Sequence, residues 1–592
     1  YRPDQRIFST STFTIKPITG LTIKSDFSVG SRHYQFQEFT MKVPEIGKPN
    51  DQNSKSIENT MEKNWLWETV ATYSCEFKDK HLLSVMGGYT MGYNNYRDNK
   101  TVVYNFPYEE NWAQDFVNGT NWSKEKPTEL FTEESQISAF GRASYSFADR
   151  YFLTGSLRYD ATSKLFKRSD VFPAVSGAWK ISSEPFFEDA LPVVSLFKLR
   201  ASWGQIGNIA SVGPYAYNVK LSASPWFTYF GNIGQNAIKG VSLRTFQNLN
   251  LVWETSQQTD LGFDLNLLDD KLAMTVDYFI KDTKDLIEEM TVPSVAGIET
   301  APLGNVGKVR NSGWEIGVNW NDRAGAVSYS IGANFSTLKN EVKSLGDRDY
   351  IPHTNEIRSM MPLRSAVGQS WYSYYLIPTD GLFRSNEEAE TYVKDGQRIQ
   401  PNAKAGDIKF KDTNNDGIIN DKDRVYMGSY MPKYTFALNG SVSWNNFDVA
   451  FQFQGVAGNK IFNGVKVMTY PSDQGFNMST DVLDSYSYNP SSNIPRLAMK
   501  DENKNYSTVS DFFLKNGSYL RMKNLTIGYS LPKSLMASIG CSGTNVRFYA
   551  TGENLFTITK YSGIDPEVGG NGLDGGKYPV ARIFSLGLNV NF

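Results

Sequence analysis

The stretch FSLGLNVNF that closes the chain alternates without a break. Phe584, Leu586, Leu588, Val590 and Phe592 fall on one face of an extended backbone; Ser585, Gly587, Asn589 and Asn591 fall on the other. Such period-two alternation marks a strand with one apolar and one polar face. The pattern recurs. In LGFDLNLLDDKLAMTVDYFI, Leu261, Phe263 and Leu265 alternate with Gly262, Asp264 and Asn266, and after a turn at Asp269 and Asp270 the residues Leu272, Met274, Val276 and Tyr278 share a face. In TFALNGSVSWNNFDVAFQFQG, Phe436, Leu438, Val442 and Trp444 precede Asn445 and Asn446; Phe447, Val449, Phe451 and Phe453 follow. WEIGVNWNDRAGAVSYSIGANF gives Trp314, Ile316, Val318 and Trp320, then Val327, Tyr329, Ile331 and Phe335. Aromatic residues gather near the strand ends, as two girdles at membrane interfaces require.

One-faced strands average out to polar, so a mean hydropathy of −0.41 does not argue against a membrane. No run reaches the roughly 18 apolar residues of a helical span. A net charge of −2 sets up no field for nucleic acid. The connections discriminate further. Short turns join the strand pairs, including those in TFTIKPITGLTIKSDF, TVATYSCEFKDKHLLSVMGGY and ASYSFADRYFLTGSLRYD. Long connections are expected near 31–67, 94–135, 206–253, 282–312, 337–434, 456–518 and 553–579. Short and long connections alternate, as in outer-membrane barrels with periplasmic turns and extracellular loops; a soluble sandwich has no reason for that asymmetry. The fold class expected is all-β, a transmembrane antiparallel β-barrel.

The hairpins add up to roughly seventeen strands, where closed bacterial barrels have even numbers. The reading is therefore the C-terminal part of a larger barrel, spanning 1–592, whose first strands lie elsewhere. The opening YRPDQRIFST has neither initiator Met nor an apolar leader segment, which fits that reading or removal of a leader. Cys75 and Cys541 fall on well-separated strands and form no metal or redox spacing, so no disulfide is expected.

One segment breaks the strand pattern. DTNNDGIINDKD, residues 412–423, has the spacing of a calcium-binding loop. Asp412, Asn414 and Asp416 stand first, third and fifth, Gly417 sixth, Ile418 offers a carbonyl at the seventh position and Asp423 closes the loop at the twelfth. The plainer alternative is an Asn/Asp/Gly-rich turn that binds nothing. The loop directly precedes the strand 435–444, so calcium would brace a long outer loop. His33, His81 and His353 each stand alone, and there is no HExxH, GxSxG or P-loop motif, so no catalytic residue or catalytic cofactor is expected. A glycosidase carboxylate pair is a weaker reading than solvated carboxylates. Dense aromatics occur in PWFTYF (Trp226, Phe227, Tyr229, Phe230) and WYSYY (Trp371, Tyr372, Tyr374, Tyr375). They suit stacking on sugars or gripping peptides, but small cores inside the loops are the favoured reading.

NLVWETSQQTDLGFDL, GNVGKVRNSGWEIGVNW, GDIKFKDTNNDGIINDKDRVYMGSYMPKYTFALNGSVSW, LRMKNLTIGYSLP and ATGENLFTITKYSGIDPEV, in this order and spread over nearly the whole chain, resemble the SusC/RagA family of TonB-dependent outer-membrane transporters. The 412–423 loop followed by Gly428, Pro432 and Tyr434 is part of the resemblance. It implies a barrel of about 22 strands around a plug, so a chain beginning at the sixth strand would hold seventeen. It also implies a SusD-like surface lipoprotein as lid, TonB acting through the plug, oligosaccharide or oligopeptide cargo, and an outer-membrane location. No plug and no TonB-contacting segment can be read here, so an N-terminal plug-containing segment joins the expected partners. Two rivals stay open: a passive porin-type channel, and a secreted calcium-stabilised carbohydrate-binding β-protein. Outward apolar faces and the terminal Phe592 argue against the second.

Overall fold

The fold is built from antiparallel strands joined in sequence order. A computed structural model describes the chain except at residues 1, 46–48, 123, 125, 223–228, 231–237, 240, 291, 299 and 476. The long strands are β1 (Asp4–Ile18), β2 (Leu21–Thr40), β3 (Ser54–Phe77), β4 (His81–Tyr104), β5 (Thr128–Phe147), β6 (Tyr151–Thr162), β7 (Ser169–Lys180), β8 (Val194–Asn208), β9 (Glu254–Leu267), β10 (Leu272–Glu289), β11 (Leu303–Ala324), β12 (Val327–Thr337), β13 (Tyr434–Trp444), β14 (Phe447–Ala457), β15 (Tyr519–Ser530), β16 (Asn545–Thr559) and β17 (Ile583–Asn591). Lys339–Ser344 continues β12 past an irregularity at Leu338, so among the described residues the 18 strands of the main sheet make seventeen passes. That is the number the alternation of turns implied.

Two compact units are present. The first comprises 1–179, 202–257 and 284–306; the second 180–201, 258–283 and 307–592. In the first, β1 to β7 pair each with the next. The turn after β3 has Lys78 and Asp79 at φ 54° and 52°, the left-handed pair that matches the twist of a tight hairpin. Register puts Trp65, Trp67, Tyr73 and Phe77 of β3 beside Tyr93, Met91, Val85 and His81 of β4 on one face. Aromatic contacts cluster at two levels of that face. Trp65 stacks on Tyr93 at 6.3 Å and Trp67 meets Tyr89 at 5.5 Å. Lower down, Phe77 stacks on His81 at 4.9 Å, and Phe147, Tyr151 and Trp179 follow in a row. Trp65 and Phe77 stand twelve residues apart in β3. At about 3.3 Å per residue and a tilt near 45°, that spans roughly 28 Å, close to the apolar band of an outer-membrane barrel.

In the second unit, β11 pairs with β12 and its continuation, β12 with β13, and the meander runs on through β17. The apolar row of the closing strand is exposed: Phe584 75%, Leu586 89%, Leu588 57%.

The expected loop bounds need correction. Strands run past the aromatic level, so the connections shrink to 41–53, 105–127, 209–253, 290–302, 345–433, 458–518 and 560–582. The first stretch taken as loop, 31–67, is mostly strand. SKSIENTMEKN in β3 pairs residue by residue with β4 although it carries no apolar alternation. Beyond an apolar layer both faces meet water, so the period that locates a strand vanishes while the hydrogen-bond ladder continues. Cys75 and Cys541 are both free cysteines.

Candidate functional site

Three long connections of the second unit, 345–433, 458–518 and 560–582, fold into one assembly with its own core. Tyr350–Pro352, Leu363–Ala366, Ser373–Leu376 and Val425–Ser429 form a four-stranded sheet, while Lys460–Asn463 pairs with Leu514–Asn516 and Leu573–Asp574. Tyr374, Leu376, Phe462 and Phe513 are wholly buried, with Met360, Val467 and Tyr470 around them. The Tyr374 hydroxyl donates to the carbonyls of Gly572 (2.9 Å) and Lys460 (3.3 Å), joining all three connections. Tyr375 packs on Tyr426 at 4.9 Å, and the Arg364 guanidinium lies over Tyr350 and Tyr375. The ring of His353 lies 3.9 Å from that of Tyr372, and its Nε2 is 2.7 Å from the Ser365 hydroxyl. Burial pushes His353 down to about 4, so it is neutral at neutral pH. Of the WYSYY aromatics, Tyr374 belongs to the loops' own core and Tyr372 packs against it, while Trp371 and Tyr375 stay partly exposed. The other aromatic stretch falls largely outside the described residues; only the backbone pairing of Tyr229 and Phe230 with Lys239 and Ile238 is described.

The 412–423 segment lies between Ile408–Phe410 and Val425–Ser429 of this assembly. Its first, third and fifth residues curl around one turn. Asp412 accepts from the N–H of Asp416 (3.1 Å) and of Gly417 (2.7 Å); Asn414 Oδ1 accepts from Asp416 N–H (3.0 Å). Asp416 accepts from the Asn414 amide (2.9 Å) and from Ile418 N–H (3.0 Å), which hold its carboxyl below the ordinary range. The Ile418 carbonyl accepts from the Asn420 side chain at 3.1 Å. Gly417 sits at φ +84°, a conformation that strains any other residue. Asp423 is fully buried and accepts from the N–H groups of Thr413 (2.9 Å) and Asn420 (2.8 Å). Among the described residues no three His, Cys, Asp or Glu side chains converge as a metal cluster. The segment closes through its own hydrogen bonds.

Two polar constellations escaped the reading of the sequence. Asp407, wholly buried, pairs with the Arg496 guanidinium (Nε 2.8 Å away, Nη2 donating at 3.2 Å) and accepts from the Asn505 amide at 2.9 Å and from Lys404 N–H at 2.9 Å. This network pins 345–433 to 458–518. Arg521, at 3% exposure, is gripped by Asp565 (2.5 Å), Glu567 (2.6 Å) and Thr557 (2.8 Å). It ties the stretch LRMKN to GIDPEV. Burial pushes the Asp565 carboxyl up, but the Glu567 N–H and the Arg521 guanidinium outweigh it and hold it below the usual value. The only sequence signal for either constellation was an acid and a base in segments far apart in the chain.

In the first unit the face opposite the aromatic rows is polar. Thr12 donates to Asp26 (2.6 Å), Lys24 pairs with Asp26 (2.7 Å), and Thr90 donates to Glu68 (3.1 Å). A concavity of about 550 Å³ on this face is bordered by Glu62, Asn64, Asn94, Gln136 and the Lys164–Glu134 pair at 2.8 Å. Its amides and carboxylates can hydrogen-bond a polar solute; nothing in it resembles a nucleophile with its base.

Comparison with known proteins accounts for this architecture. The family described as "TonB dependent receptor-like, beta-barrel" matches residues 8–555. The TonB-dependent receptor P3 of Formosa agariphila is 29% identical over 597 residues, covering 97% of this chain and 57% of that protein. The TonB-dependent receptor SusC of Bacteroides thetaiotaomicron is 28% identical over 492 residues, covering 78% of this chain and 44% of its own length. The chain therefore spans about half the length of these relatives, 57% of the first and 44% of the second. The RagAB peptide importer in its open-open state superposes with a TM-score of 0.81 at 20% identity, covering 100% of this chain and 62% of that one, a likeness of fold. The match over most of its length, on strands with one apolar and one polar face, makes this chain a member of the TonB-dependent receptor-like β-barrel family.

Proposed function

We propose that this chain is the C-terminal barrel portion of a SusC-like importer of the bacterial outer membrane. The observation that carries the proposal is the two-faced strand wall. One face holds two aromatic levels at membrane spacing, and the other is lined with carboxylates, amides and hydroxyls. The apolar face meets lipid, and the polar face surrounds the cargo path and a plug. An N-terminal segment supplies that plug; the curated relatives, of which this chain spans 57% and 44%, have length to spare for one. TonB acts through that segment. The loop assembly is a rigid outer platform for a SusD-like lipoprotein lid, and the cargo is an oligosaccharide or an oligopeptide. The barrel does no chemistry; its work is gated access.

The test is uptake by cells making the whole transporter, with labelled oligosaccharide and oligopeptide mixtures, before and after collapse of the proton-motive force. Uptake that stops on collapse, with a plug-bearing segment and a lipoprotein co-purifying, is the expected result. Uptake indifferent to collapse makes the protein a passive channel, and solubility without detergent removes the membrane reading altogether.

We propose as well that the 412–423 loop takes a calcium ion through Asp412, Asn414, Asp416, the Ile418 carbonyl and Asp423. The spacing, the left-handed Gly417 and the buried Asp423 support this. Calorimetric titration of the purified complex with calcium, with Asp412→Ala as control, tests it; the absence of a heat that the variant abolishes removes calcium from the account.

A further inference from the structure

The apolar face of the second unit changes character along β10, β11 and the continuation of β12. In β11 the row Trp320, Val318, Ile316 and Trp314 continues as Ser312, Arg310 and Lys308, every second residue. In β10 the row ending at Tyr278 continues as Ile280 and Asp282. Past β12, Lys339 stands opposite Ser312 and Glu341 opposite Arg310. The boundary is aromatic. Tyr278 packs on Trp314 at 4.8 Å, and Phe335 stacks on Tyr434 at 6.0 Å. Tyr and Trp rings settle at the headgroup level of a bilayer, so the charges just past them lie at headgroup depth.

A pocket of about 610 Å³ opens at this boundary, large enough for a whole small ligand. Tyr278, Trp314 and Tyr434 give it an apolar side, Lys339 and Lys433 its cations, and Ser312 and Ser370 border it. The surroundings are cation-rich. Asp282 is shared by Arg310 (2.7 Å) and Lys308 (3.2 Å), and Glu341 by Lys343 (2.6 Å) and Lys339 (3.0 Å). Lys433 forms no ion pair among the described residues, so three positive charges exceed the acids around them. The side chain of Lys339 is 75% exposed. A cationic pocket with an aromatic floor, open on a lipid-facing surface, suits a ligand with a phosphate at one end and acyl chains at the other.

We propose that this pocket binds the phosphorylated headgroup of an outer-leaflet lipid, with Lys339 and Lys433 pairing its phosphate and its acyl chains lying along Tyr278 and Trp314. The proposal rests on the reading that this face meets lipid. A free phosphate ion would use the lysines but leave the aromatic side empty.

The detergent-purified whole complex is titrated, by native mass spectrometry, with diphosphorylated lipid A, with the same lipid dephosphorylated, and with inorganic phosphate. Wild-type complex is expected to hold the phosphorylated lipid and to lose about fivefold in affinity for each lysine replaced by alanine, roughly 25-fold in K339A/K433A. K339R/K433R should bind as wild type does, which separates charge from damage to the fold. Equal binding by wild type and K339A/K433A overturns the proposal, as does equal binding of the dephosphorylated lipid. Displacement by an equimolar amount of inorganic phosphate shows a phosphate site and removes the lipid. If the complex is soluble without detergent, it is the membrane reading that has failed; a complex that needs detergent but shows no preference among the lipids fails this proposal alone.

Discussion

Within the second unit the strand wall and the outer loop assembly solve opposite problems. Leu438, Val442, Leu586 and Leu588 on the wall are 40%, 40%, 89% and 57% exposed. In the loop assembly Tyr374, Leu376, Phe462 and Phe513 have no exposure at all. On the proposed membrane reading, the wall leaves its apolar side chains outward because lipid is their solvent; its backbone polarity is satisfied by neighbouring strands. The loops stand in water and must bury a core, as any soluble domain does. Apolar residues therefore stabilise the two regions in different ways, and replacing them should have different consequences.

The largest contrast is expected for truncation. Phe462→Ala should destabilise the loop assembly by about 3–5 kcal/mol. Proteolysis of the loops, followed at increasing temperature, reads the loss. Leu586→Ala, which opens no cavity, should leave that proteolysis curve unchanged, and similar losses from both would erase the distinction. A charge probes the wall itself. Leu438→Arg, on the apolar face near the middle of β13, should cost about 2–4 kcal/mol if that face meets lipid as proposed, whereas Asn439→Arg, on the polar face, should be tolerated. Folding yields into lipid vesicles distinguish the two; equal yields would contradict the assignment of faces.

A third expectation separates the calcium-type loop from its ion. Asp423→Ala leaves two backbone N–H groups without acceptors in a buried place, a loss of about 1–3 kcal/mol. Because the turn closes through its own hydrogen bonds, chelating calcium should lower the loop melting temperature less than this substitution does. The smallest effect is that of pH. The folded-state value for His353 is depressed to about 4 from an ordinary 6.5. Its stabilising contribution is thus present above about 6.5 and is lost as pH falls towards 4. Between pH 7 and 5 the loop assembly should weaken by at most about 1 kcal/mol once solvent screening of this partly exposed ring is allowed for, and His353→Gln should flatten that slope. The wall carries no such dependence from this residue, so a pH effect confined to loop proteolysis is the expected pattern.

Much of the wall could be read in advance. Alternation in 261–265, 436–444 and 584–592 located strands, and the succession of short and long connections gave seventeen passes. The strand ends were misjudged where β3 and β4 continue as SKSIENTMEKN and NNYRDNKTVVY, because polar residues on both faces carry no period. Of the loop aromatics favoured as core material, Tyr374 and Tyr372 join the core while Trp371 and Tyr375 stay partly exposed, and their partners could not be named. Tyr374 meets Gly572, 198 residues away, and no local pattern encodes such a pairing.

What the sequence determined by itself is periodic or short-range: face, strand, turn, and the 412–423 turn with its glycine. Those features follow from side-chain direction and backbone sterics within a few residues. Only the tertiary structure decided which distant charges meet, as with Asp407 and Arg496, or Arg521 with Asp565 and Glu567, and where Lys339 and Lys433 border one pocket. A carboxylate reads the same in a sequence whether water or a guanidinium will neutralise it. The choice is made by burial, since a charge out of water must find its partner there.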